Sequence, residues 1–283
     1  MNRFIKLVNF EVNRFIKLFI GLLILTAISQ FVSIFIVKSD YLNQAEHAKY
    51  ASSSAALEEF ISSNGLISFH HVTHTLFYIA PIAICVALMM LYIFIIWYRD
   101  YFGKNTFIYR LFMIPTARMT IYFAKASTIL LMILSLIAFQ FIVLPIEITV
   151  FQNSVPSELL GKITTMDFIL GSNDFFGIVL PGNFIQFLLS YGVGMASIFA
   201  IFTAILLERS FRWKGIVFGI LYAIFIGILL ISPFLLNELV LMPNNGFSFY
   251  PIEVFYIELG LICVITAISI YLSKYLLQNK VSV

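Results

Sequence analysis

The chain reads as an all-α membrane protein, with six transmembrane helices preceded by an N-terminal amphipathic interfacial helix and both termini cytoplasmic. Three observations predict this class. Of 283 residues, 61% are hydrophobic and only 11% charged, a balance far from that of a soluble domain. Six segments stay apolar for about 20 residues, the length a helix needs to cross a bilayer core. The charges between those segments also sort by side, which an arbitrary division of the sequence would not produce.

The elements follow in chain order. Residues 2–7 and 13–18 both read Asn-Arg-Phe-Ile-Lys-Leu, a repeat displaced by eleven residues and so by nearly three helical turns. Residues 1–17 therefore present one basic face, with Arg3, Lys6, Arg14 and Lys17, and one apolar face, with Phe4, Ile5, Phe15 and Ile16. That pattern suits a helix lying among anionic headgroups; the alternative is a basic flank that only sets topology. Spans are expected at 18–37, 76–97, 126–146, 185–207, 215–236 and 254–272. The first has an apolar core too long for a cleaved leader and reads as a retained anchor. Outer segments fall at 38–75, with a short surface helix, at 147–183, broken by Pro156, Gly161, Gly171, Pro181 and Gly182, and at 237–253.

Charge placement supports this order. Fourteen of the seventeen Lys and Arg residues fall on the side shared by the termini, the 98–125 loop and the 208–214 turn, against three acids, Glu11, Asp100 and Glu208. Lys38, Lys49 and Lys162 share the other side with eleven of the fourteen acids. The basic side is expected to face the cytoplasm, although acids contribute little to that rule. The loops leave no room for a soluble domain. The net charge of +3 gives no reason to expect nucleic acid as a partner, and Cys85 and Cys263, each within an apolar run, imply no disulfide framework.

Few residues carry chemistry. A phosphate loop needs an upstream glycine and a following hydroxyl, and Gly103-Lys104 and Gly161-Lys162 have neither. No ATPase motif is present, so any ATP and Mg would be held by a partner chain. His70, His71 and His74 form the sharpest enzyme-like pattern, because His70 and His74 are one helical turn apart. His71, however, stands where a zinc protease carries its Glu base, so a bland outer-interface cluster competes with a metal site and with a His-cluster metalloenzyme. Glu147 and Glu258 either line a substrate path or sit at headgroup level. Gln140 and Gln186 are softer path candidates, and equally hydrogen-bonding partners between helices. Gly215, Gly219, Ala223 and Gly227 recur every fourth residue, forming a stripe that either packs within the chain or makes a dimer seam with a second copy or a paralogue.

The 98–125 loop carries a family resemblance. It contains Leu111-Phe112-Met113-Ile114-Pro115-Thr116-Ala117-Arg118 and then Ala124-Lys125, which is similar to the Leu-Pro-x-Ser-Arg and downstream Lys pattern of the permease subunits of bacterial ABC-2 type ABC transporters. Ile114 stands in place of the usual Leu, and Thr116-Ala117 in place of a small residue and Ser. The basic N-terminal segment, six spans, inner termini and broken outer segments extend the resemblance over the whole chain. It implies a cytoplasmic-membrane exporter of an amphiphile such as a peptide, a lipid-linked glycan or a drug, working with cytoplasmic ATPase subunits and touching membrane lipids. It also implies that residues 105–113 form a coupling helix. Phe107, Ile108, Leu111 and Phe112 would then supply an apolar anchor, Arg110, Arg118 and Lys125 the basic rim, and Pro115 the helix stop. The competing reading for the three cations is topology and headgroup binding. A noncatalytic sensor or immunity subunit remains the rival function.

Overall fold

The computed structural model describes residues 3–51, 61–62, 65–102, 107–113, 116–161, 163–171, 181, 183–236 and 250–280. Eight helices form among them: α1 (Arg3–Ala51), α2 (Phe69–Thr73), α3 (Leu76–Tyr101), α4 (Phe107–Met113), α5 (Arg118–Ser154), α6 (Thr165–Gly171), α7 (Phe184–Leu235) and α8 (Pro251–Asn279). Six helical segments are long and apolar enough to cross a membrane: 3–47, 76–101, 118–154, 184–211, 213–233 and 252–279. This is the architecture of a multi-pass membrane protein, and all its spans but the fifth extend past the apolar cores the sequence delimits.

Two boundaries differ from expectation. No break separates residues 3–17 from 18–37, so the expected surface helix and first span are one 49-residue helix that also absorbs much of the segment expected outside the membrane. The physical reason is that a hydropathy change marks solvent, whereas ending a helix needs a backbone signal. Residues 3–51 hold no proline, and their one glycine, Gly21, lies well inside the helix. Conversely, α7 is helical throughout yet reverses direction. A Cβ on Gly215 would collide with Leu207 O and lie 2.8 Å from Glu208 Cα, and one on Gly219 would lie 2.9 Å from Ala204 O. Residues eight and fifteen apart cannot meet along a straight helix rising about 1.5 Å per residue. The arms 184–211 and 213–233 are therefore antiparallel.

The chain divides into two compact units: residues 1–13, 89–131 and 181–283 in one, and 14–88 and 132–180 in the other. In the first, α8 packs along α7 through a core that includes Ala196, Ala200, Ile226, Leu230, Ile262 and Ile265. Hydroxyls join these helices inside the apolar region. Thr203 Oγ1 lies 2.9 Å from Ser273 Oγ and 3.1 Å from Ser269 O, and the Tyr222 hydroxyl lies 2.8 Å from Ser269 Oγ.

In the second unit, Phe69 meets Tyr78, Phe151 and Phe168 edge to face at centroid separations of 6.0, 5.9 and 5.4 Å. A parallel bridge joins two parts of the broken segments, with Ile67 N–H donating to Leu159 O at 3.0 Å and Gly161 N–H donating to Ile67 O at 2.9 Å. Gly65 precedes it at φ 74°, a left-handed conformation that favours glycine, and its carbonyl accepts the Tyr41 hydroxyl at 2.6 Å.

Candidate functional site

The short helix α4 covers most of the expected coupling segment. Its i, i+3 pair Ile108 and Leu111 is buried against Ile121, with Leu7 and Tyr101 packed around them. The outer face carries exposed Arg110 and Met113, the latter 77% exposed. This corrects part of the expected anchor, because Ile108 and Leu111 hold α4 to its own chain and are unavailable to a partner. The side chains of Phe107 and Phe112, and all of Ile114 and Pro115, lie outside the described residues. Arg118 is half-buried and donates from Nη1 to Leu277 O at 2.5 Å, joining the start of α5 to the end of α8.

Lys125 is also corrected, from a rim cation to a core residue at 0% exposure. Its ammonium donates to Glu11 Oε1 at 2.7 Å, to Ile96 O at 2.8 Å and to Asp100 Oδ2. All three N–H groups are thereby used, and the Trp97 ring lies 5.4 Å away. Arg99, on the wetter side, donates from Nη2 to Glu11 Oε2 at 2.7 Å. Among these contacts two cations face two carboxylates. That balance is what permits ions to be buried at all, since an unpaired one costs several kcal/mol. Lys is long enough to reach partners on two other helices with its stem among apolar side chains.

Sequence reasoning missed Glu11 and Asp100. The signal was present, because they and Glu208 are the only acids among the fourteen cations of the basic side. Glu208 is likewise engaged, accepting the Tyr98 hydroxyl. Beside it the Arg209 guanidinium lies 4.9 Å from the centroids of both Tyr98 and Tyr101 and 5.2 Å from that of Phe102.

The path candidates divide between the two units. Gln140 accepts from Gln30 Nε2 at 3.2 Å, the interhelical role foreseen as its alternative. Glu147 is fully buried, its Oε2 accepting the Tyr78 hydroxyl at 2.6 Å while Oε1 meets no partner among the described residues. These belong to the second unit; Gln186 and Glu258 belong to the first. Gln186 is exposed, and Glu258 is buried with Oε2 unpartnered among the described residues.

The histidines are not gathered around a metal position. His70 lies against the Phe168 ring at 5.0 Å, and His71 Nδ1 sits 3.3 Å from Ser68 Oγ within one turn of chain. Among the described residues no group of three or more His, Cys, Asp or Glu could hold a metal ion; His70 packs on an aromatic ring and His71 caps its own helix. The glycine stripe is divided: Gly215 and Gly219 close the α7 hairpin, whereas Ala223 is exposed and Gly227 has no neighbour within 4 Å of an added Cβ. No protein-family model, no curated protein and no solved structure matches the chain.

Proposed function

We propose that the chain is the membrane-spanning permease subunit of an ATP-driven ABC exporter, moving an amphiphilic substrate across the cytoplasmic membrane with separate ATPase subunits. The observation that carries this reading is α4: a short helix between the second and third apolar spans, fixed to its own chain by Ile108 and Leu111 and presenting Arg110 and Met113 outward. A helix held on one side and bare on the other can pass a push from a partner to the helices on which it rests. The positive-inside pattern assigns α4 and both termini to the cytoplasm, and the basic side chains of residues 3–17 to anionic headgroups. Closure of two ATPases around ATP and Mg would then shift the spans and switch access to the substrate path. A second permease copy or a paralogue completes the assembly, for which exposed Ala223 and the open side of Gly227 offer close approach.

The test is affinity purification of the full chain from its native membrane, followed by ATP hydrolysis on the eluate. A phosphate-loop ATPase should co-purify, and Arg110→Glu should lower its yield at least severalfold while leaving the amount of permease unchanged. An eluate without any nucleotide-binding subunit would sink the proposal.

A further inference from the structure

Each helix supporting α4 contributes an apolar seat residue and, within about one turn of it, a member of the buried ion cluster. On α1 these are Leu7 and Glu11, on α3 Tyr101 and Asp100, and on α5 Ile121 and Lys125. Positions four apart on a helix lie on one face, so α1 and α5 each aim a seat residue and a charge in the same direction. Among these contacts, Glu11 is the member supplied by α1. Its two oxygens are divided between Lys125 of α5 and Arg99 of α3, both at 2.7 Å.

We propose that Glu11 is the positioning residue of the α4 seat: its split ion pair fixes this part of α1 to α3 and α5, and so holds Leu7 against Ile108 and Leu111. The role follows from connectivity. Lys125 and Asp100 stay paired without Glu11, whereas α1 supplies no other anion to these contacts. Removing the Glu11 charge would leave Arg99 and Lys125 opposing Asp100 alone, an uncompensated buried cation that favours separation of α1 from the other two helices. The importance of the seat for transport rests on the reading of α4 as the docking helix; the seat itself does not.

The experiment reads the seat directly. In the full chain carrying Cys85→Ser and Cys263→Ser, Leu111→Cys reports the seat and Leu206→Cys, at a fully buried position of α7, reports the integrity of the unit. Reaction with a water-soluble maleimide is followed in detergent. Glu11→Gln should speed labelling at position 111 about tenfold, by populating an opened seat, with position 206 still protected. Glu11→Asp, shorter but charged, should label more slowly than Glu11→Gln. A role in packing alone ranks these two the other way, because Gln keeps the shape of Glu.

Unchanged labelling at position 111 in Glu11→Gln, or the reversed order of Gln and Asp, overturns the proposal. If Glu11→Gln also opens position 206, the decision passes to Arg99→Gln, at the wetter edge of the cluster. There, faster labelling at 111 alone supports the proposal, and an unchanged rate overturns it. Absence of an ATPase from the parent purification would defeat the transport reading and leave these labelling results to judge Glu11 independently.

Discussion

The ion cluster around Lys125 and the carboxylate of Glu147 solve the same physical problem in opposite ways. Both are buried within helices apolar enough to cross a membrane. Around Lys125 the solution is charge balance, with two cations, two carboxylates and a backbone carbonyl assembled from three helices. Around Glu147 the described residues supply one phenol hydroxyl and an otherwise apolar cluster containing Leu144, Ile148 and Phe151. The difference teaches that removing a partner matters more in the first region. A single hydrogen bond can be lost at the cost of one unsatisfied group, whereas a broken ion cluster leaves several charges inside the protein without their partners.

Five substitutions break or sharpen that contrast. Lys125→Met should have the largest effect, destabilising the purified protein by about 3–5 kcal/mol because Glu11 and Asp100 lose their common cation; a melting temperature in detergent near that of the parent would contradict it. Gly215→Val, in the same unit, should cost about 1–3 kcal/mol by forcing a side chain into the backbone of residues 207–208. Gly227→Ala, facing open space, serves as its control and should melt with the parent. Glu147→Ala should cost about 1–3 kcal/mol, since it removes the acceptor of the buried Tyr78 hydroxyl. Glu147→Gln should be milder than Glu147→Ala, within about 1 kcal/mol, because the amide oxygen still accepts from Tyr78; a loss as large as that of Lys125→Met would erase the distinction between the two regions.

Much of the fold was legible because hydropathy is a local property. The apolar cores of the six spans lie almost wholly within helices, and α4 was anticipated only through the family resemblance of the 98–125 loop. The α7 reversal was legible as a basic turn between two spans, although its closeness rests on two glycines that the stripe pattern left equally available to a dimer. Less of the candidate site was legible. Its bonds join residues 88 and 114 positions apart, and no periodicity encodes such a pairing. The continuity of α1 was missed because a change of charge was read as a change of backbone direction.

By itself, the sequence determined which segments are apolar enough for a bilayer and how their flanking charges segregate, since both depend only on the order of side chains. Tertiary structure alone decided which of those charges are surface and which are core. Arg110 and Lys125 read alike as cations of one loop, yet Arg110 is exposed and Lys125 is fully enclosed. What separates them is the arrival of Glu11 and Asp100 from other helices, because a charge can leave water only where folding brings its counter-charge.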